Sequence, residues 1–214
     1  MGDSTQELRE AHDVLAEVYA TGLSTLLDEM PVDRAVLGLF AEYVRGAGLR
    51  DHVGDIGCGT GRLAPFLAAQ GFSPCGVDLS PEMIRVARRD FPAFAFDVAD
   101  LRSLPFEDSA LAGAVAWYSL MYLAPEVRSE AYAQLARVIR PGGYVVTAFK
   151  VGDGARRRGG TTLGLGIGFD IYWFAPEQIE QFLIDAGFRV VFTAQRPAEP
   201  DEPQPQGYVI AQKV

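Results

Sequence analysis

Between Val53 and Arg62 the chain reads VGDIGCGTGR, with glycines at 57, 59 and 61 and a carboxylate, Asp55, just ahead of them. A glycine-rich turn between a strand and a helix brings backbone N–H groups close to a ligand, because no Cβ stands in the way. The spacing is G-x-G-x-G, with Arg62 where the third glycine of a dinucleotide fingerprint would stand, and no Gly-Lys-Ser/Thr follows as in a Walker loop. Other candidates for chemistry are few. The histidines are His12 and His52, and His52 precedes the first strand. Cys58 and Cys75 lack CxxC spacing and a histidine companion, so neither a metal centre nor a disulfide framework is expected, and a reducing cytoplasm fits.

The elements that must position these residues follow from periodicity. Apolar residues at helical spacing predict helices from Leu8 to about Tyr19 and from Val32 to Val44, with Pro31 as a first-turn residue. From there short apolar runs predict strands over 53–57, 74–78, 94–97, 111–118, 143–150, 188–195 and 207–213. Amphipathic runs predict helices over 61–70, 81–90, 125–139 and 176–186. This alternation is that of an α/β protein with helices on both faces of the sheet. Two segments break it: GDGARRRGGTTLGLGIG, read as a loop after the fifth strand, and RPAEPDEPQPQG, read as a long hairpin connection.

At 214 residues the chain suits a single domain, 1–214, and its net charge of −9 argues against nucleic acid as a partner. The N-terminal residues lack the pattern of an export or myristoylation signal, and the longest uncharged run, Ser109 to Pro125, is too short to cross a bilayer, so no membrane partner is expected.

The pattern D-x-G-x-G-x-G, followed one βα unit later by Asp78 in CGVDLS, resembles the class I S-adenosylmethionine-dependent methyltransferases of the small-molecule type. That resemblance implies a three-layer Rossmann-like sandwich with a seven-stranded mixed sheet in the order 3-2-1-4-5-7-6. It also implies an N-terminal helical cap over residues 1–50 and a cofactor-binding core over 51–214. The cofactor would be S-adenosyl-L-methionine, with S-adenosyl-L-homocysteine as product. Asp55, Gly57, Cys58, Gly59 and Gly61 would surround its amino-acid end, Cys58 merely as a small turn residue. Asp78 would take both ribose hydroxyls, since one carboxylate offers acceptors to two donors at once. Leu79 and Met83 would flank the adenine, with Asp97 and Val98 at its edge; Trp117 would stand at the methionine end and Tyr19 over the cofactor.

Methyl transfer asks mainly for positioning, and for a base where the nucleophile carries a proton. The resembled family is expected to carry Tyr-Asp where this chain has His12-Asp13, and a histidine where it has Tyr122. The reciprocal exchange implies that His12 and Tyr122 are neighbours over the methyl group, one of them taking the acceptor's proton. Tyr118, as an aromatic wall, and Arg156 and Arg157, in a mobile lid drawing in an anionic acceptor, complete the expected acceptor site. The partner is a small-molecule acceptor, in secondary metabolism, and the protein a monomer or homodimer. Two other readings of the same cofactor site are a non-methylating reaction such as a cyclisation and a non-catalytic binding protein.

Overall fold

A computed structural model describes residues 4–22, 26–49, 51–161, 164–200 and 202–214 of the chain. Its parallel strands are β1 (His52–Ile56), β2 (Ser73–Asp78), β3 (Ala95–Val98), β4 (Leu111–Trp117) and β5 (Ile139–Lys150). β4 is buried at all seven positions. A strand covered by helices on both faces has no wet side to alternate with, which is why LAGAVAW carries no polar residue. β8 (Phe188–Arg196) and β9 (Gln206–Lys213) join antiparallel, and the sheet order is β3-β2-β1-β4-β5-β9-β8. This is the expected order once the two strands of a separate hairpin, described below, are counted.

Helices cover both faces. On one, α6 (Arg128–Val138) and α7 (Pro176–Asp185) bury Leu135, Val138, Ile179 and Leu183 against the sheet. On the other, α3 (Pro31–Gly46) and α4 (Ala64–Ala69) bury Leu37, Phe40, Val44 and Leu67 against Val115, Val146 and Ile210. α3 is therefore part of the sandwich and not of a cap: its apolar stripe is wide enough to be pulled into the core. α2 (Leu26–Glu29) is a single turn before it. Of the expected cap, α1 (Ser4–Gly22) alone lies over the carboxyl edge of the sheet, packing Ala11, Leu15 and Ala16 on Met83 and Val86 of α5 (Pro81–Asp90).

The glycine-rich segment expected as a loop forms, with the residues that follow it, a second, two-stranded sheet, β6 (Arg156–Gly159) paired with β7 (Phe169–Tyr172); residues 162 and 163 lie outside the described residues. Its glycines make room for one ring. A Cβ on Gly159 would stand 2.5 Å from the Phe169 ring, and one on Gly160, where φ is +78°, 2.9 Å from it. What reads as looseness in the sequence is the space Phe169 fills. Among the described residues no helix is long and apolar enough to cross a membrane.

Candidate active site

A cavity of about 470 Å³ opens at the carboxyl edge of the sheet, where the order reverses between β1 and β4. Ligands of open α/β sheets bind at such a switch point because the diverging connections leave a crevice there. Its floor is the turn after β1. The N–H groups of Gly57 and Cys58 both donate to the Val77 carbonyl, at 2.8 and 2.9 Å, which ties the turn to β2. A Cβ on Gly57 would fall 2.4 Å from Ser119 Cβ, and one on Gly61 2.7 Å from the Phe96 ring, so these two glycines serve packing. Gly61 accordingly lies off the cavity, a correction to its expected place among the cofactor contacts. At Gly59, with φ +53°, a Cβ would meet nothing nearer than Met83 Sδ at 4.0 Å. The bare position opens onto the cavity.

Asp78 ends β2 with its carboxylate held rigidly: Oδ2 accepts from Gly59 N–H at 2.8 Å and Oδ1 from Ser80 N–H at 2.9 Å. Asp55 is the opposite case. It is buried on β1, and neither carboxylate oxygen has a hydrogen-bond partner. Burial pushes its pKa up to about 7, with the Arg62 guanidinium pulling down and Asp78 pushing further up. A buried carboxylate without a donor is costly unless it holds a proton or meets a cation. An ammonium beside Asp55, a carboxylate beside Arg62 and a diol beside Asp78 match the donor set of the amino-acid and ribose parts of S-adenosylmethionine.

α1 roofs this part of the cavity. His12 Nδ1–H donates to the Leu8 carbonyl at 2.9 Å, and its ring meets Tyr122 edge-on at 5.2 Å, Phe169 at 5.3 Å and Tyr19 at 6.2 Å. The expected adjacency of His12 and Tyr122 is present. Burial, and then the neighbouring Tyr19 and Asp78, push the Tyr122 phenol well above its ordinary range. It therefore stands beside His12 as a neutral phenol.

Leu79 and Met83 line the cavity as expected, but Asp97 and Val98 do not. Phe96 turns inward on β3, which sends Asp97 outward to Arg88 at 2.8 Å. Asp100, three residues later and gripped by Arg102, faces the cavity with Leu101. The strand alternation around Phe96 was the signal that could have separated the two acids.

Past Asp55 the cavity continues to Trp117 and Tyr118, both in expected positions, and then to residues the sequence did not single out: Asp33, Arg62, Lys150, Gln204 and Gln206. Asp33, in the first turn of α3, is buried and accepts from Tyr208 O–H at 2.6 Å and from Trp117 Nε1–H at 3.3 Å. Burial raises its pKa despite those bonds. Arg156 and Arg157 lie off the cavity, contrary to expectation. Arg156 pairs with Asp170 at 3.5 Å; Arg157 pairs with Asp153 at 2.9 Å and stacks over Trp173 at 4.2 Å. The pairing of β6 with β7 brings Arg156 to Asp170, while Arg157 folds back on Asp153, four residues earlier in its own segment.

Residues 53–143 match the family described as "Methyltransferase domain". The chain is 31% identical over 201 residues to a demethylmenaquinone methyltransferase of Symbiobacterium thermophilum, covering 86% of this chain and 73% of that one. It is 32% identical over 148 residues to an O-methyltransferase of Penicillium expansum, covering 66% of this chain and 53% of the fungal protein. The chain thus spans about half the length of that relative and of several others that it matches. Among solved structures, an S-adenosylmethionine-dependent methyltransferase of Methanosarcina mazei superposes with a TM-score of 0.71 at 22% identity, covering 80% of this chain and 96% of that one, a likeness of fold.

Proposed function

The chain belongs to the class I S-adenosylmethionine-dependent methyltransferases, and from that premise we propose that it transfers a methyl group to a nucleophilic atom of a small acceptor molecule. The observation that carries the reading is Asp55, a buried carboxylate with no partner, at the foot of a cavity that runs on to an aromatic compartment. When bound, the cofactor supplies a methyl group on a positively charged sulfur.

The chain's own residues do the rest. Asp55 and Arg62 hold the two charges of the amino-acid end, Asp78 the ribose, and Leu79, Met83 and Asp100 the adenine. His12, Tyr19 and Tyr122 close the roof against water, and Trp117 and Tyr118 orient the acceptor. Holding two reactants at near-attack distance supplies most of the acceleration such a displacement needs. A roof built by one helix, together with the net charge of −9, favours a small acceptor over a polyanion. The names of the two sequence relatives support this, and the proposal extends to an acceptor of secondary metabolism. Two free cysteines suit the cytoplasm.

Calorimetry with S-adenosylhomocysteine tests the site. Asp78→Ala is expected to weaken binding at least tenfold, since removing one partner of a buried charged hydrogen bond costs about 2–5 kcal/mol. Unchanged affinity would overturn the assignment. Incubation with S-adenosylmethionine and a panel of small hydroxyl and amine acceptors should yield demethylated cofactor and methylated product together; binding without any turnover would favour a non-catalytic role.

A further inference from the structure

Two glutamines at the acceptor end of the cavity are buried with polar atoms unused. Gln204 and Gln206 line the cavity and are 4% and 3% exposed. Neither Nε2 nor Oε1 of Gln204 has a hydrogen-bond partner, and Oε1 of Gln206 has none; the Gln206 Nε2–H donates to the Gln204 backbone carbonyl at 3.2 Å. Among the described residues, the side chains that both line the cavity and bury an unpartnered polar atom are Asp55, Gln204 and Gln206. Buried polar groups are nearly always paired, so an unpaired one facing a cavity marks the place of a ligand atom. Asp55 faces the ammonium of the cofactor, and the glutamines stand beyond it, where the acceptor must lie.

The segment that carries them is held in place. In Glu202-Pro203-Gln204-Pro205-Gln206 the prolines fix φ at 203 and 205 and bias Gln204 to an extended backbone. Val151 N–H donates to the Pro205 carbonyl at 2.9 Å, and Glu202 takes Arg196 on both oxygens, at 2.6 and 2.8 Å. Gln206 opens β9 directly opposite Lys150, the last residue of β5. An amide presented from so constrained a backbone loses less freedom when it is met by a ligand.

A free carboxamide offers a donor and an acceptor side by side. The group that answers both at once is a cis amide, whose C=O and N–H point the same way; an open-chain secondary amide is trans and cannot, whereas a ring holds the cis form. Turning the Gln204 amide over exchanges its two atoms and preserves the pairing. Trp117 and Tyr118, whose rings meet edge-on at 5.9 Å, wall the same compartment and suit a flat ring. We propose that Gln204 and Gln206 are the docking edge for the acceptor, and that the acceptor is a planar nitrogen heterocycle with a cyclic amide, paired through its C=O and N–H to Gln204, with Gln206 Oε1 taking a further N–H or O–H. This deepens the methyl-transfer reading above and rests on it for the word acceptor.

The test is binding to the protein loaded with S-adenosylhomocysteine, read by calorimetry, and it needs no turnover. Carbostyril, the cyclic amide of quinoline, carries the cis amide; N-methylcarbostyril keeps the carbonyl and has lost the N–H. The parent is expected to hold carbostyril about tenfold or more tighter, the effect of one buried hydrogen bond and of the group left unpaired without it, and Gln204→Leu to erase that difference. Gln204→Glu sets two acceptors where a donor and an acceptor stood. It should weaken carbostyril about tenfold and favour 2-aminoquinoline, which in its protonated form presents two N–H donors. A variant harmed only in its packing would lose both probes alike, so the reversal is a readout that a structural role does not give. Equal binding of carbostyril and its methylated form, a preference that survives Gln204→Leu, or no binding of either probe overturns the proposal and leaves the glutamines to water. Tighter binding of quinaldate that disappears in Lys150→Met gives this end of the cavity to a carboxylate and overturns it as well. If S-adenosylhomocysteine fails to bind the parent, the cofactor site and the methyl-transfer reading fall, and the same comparison on the cofactor-free protein still decides the role of the glutamines.

Discussion

A side chain added at Gly59 would meet only Met83 Sδ, 4.0 Å away, whereas one added at Gly57 or Gly61 would collide with Ser119 or Phe96. The three glycines of one motif therefore fail in different ways when replaced. Gly59→Val is expected to leave a folded protein, destabilised by about 1–3 kcal/mol because a branched residue is forced to positive φ. It should bind S-adenosylhomocysteine at least tenfold more weakly, a loss of about 1.4 kcal/mol. Gly61→Ala is expected to lower the melting temperature through the Phe96 clash while affinity in the surviving fold stays near that of the parent. Calorimetry and thermal melts on both variants check the division; a Gly59→Val protein that binds normally would make the turn purely structural.

At the scale of elements, α1 is held over the cavity by its contacts with the start of α5. Ser80 caps α5 by accepting Met83 N–H at 3.1 Å, and its hydroxyl donates to Asp13 Oδ1 of α1 at 2.5 Å. The same Asp13 oxygen accepts Glu82 N–H at 3.2 Å, a carboxylate at the positive end of a helix dipole. The Glu17 pairs with Arg85 and Arg89, at 2.7 and 2.8 Å, are exposed and screened by salt, so they contribute little. Ser80→Ala is expected to cost about 0.5–2 kcal/mol as a lost cap and to free Asp13 as well. Hydrogen exchange should then quicken along α1 more than along α3, and S-adenosylhomocysteine should dissociate faster. Unchanged α1 protection would mean that Leu15 and its apolar neighbours dock the helix unaided.

For the whole molecule the buried acids shape the response to pH. Asp55 is raised to about 7, and Asp33 and Asp78 are raised as well, each first by burial. Above the unfolded carboxylate value the native state thus keeps protons that the unfolded chain has released. Stability consequently falls as pH rises from about 4 to 7, by up to about 1.4 kcal/mol per pH unit for one group. Glu7, Asp90, Asp100 and Glu202 run the other way: arginine partners lower them, and their contribution disappears below the ordinary carboxylate range. The cofactor-free protein should therefore melt higher at about pH 5.5 than at about pH 8. A cation bound beside Asp55 lowers its pKa, so saturating S-adenosylhomocysteine should shrink that difference, and Asp55→Asn should shrink it without ligand. A melting temperature that rises steadily to pH 8 without ligand would contradict the assignment of Asp55 as a buried, unpartnered acid.

The strands, the glycine turn and the places of Asp55 and Asp78 were legible in the sequence, because each is set by short-range pattern: apolar runs that match buried strands, glycines that match positive φ, and a carboxylate that ends a strand; the order of the strands followed instead from the family resemblance. The same locality misled at β3, where two acids three residues apart, Asp97 and Asp100, look equivalent until Phe96 turns inward and sends Asp97 out. It misled again at Arg156, whose charge is taken up by Asp170 once the hairpin forms, and at Arg157, which folds back on Asp153. The acceptor end was beyond reach for a different reason. Asp33 and Tyr208 stand 175 residues apart and meet at 2.6 Å, and Gln204 and Gln206 reach the cavity from a proline-rich connection with no periodicity of its own. Such contacts are made by the assembly of the sheet, which lays α3 across β4 and β9 on either side of β5, and no residue type or spacing along the chain encodes that meeting by itself.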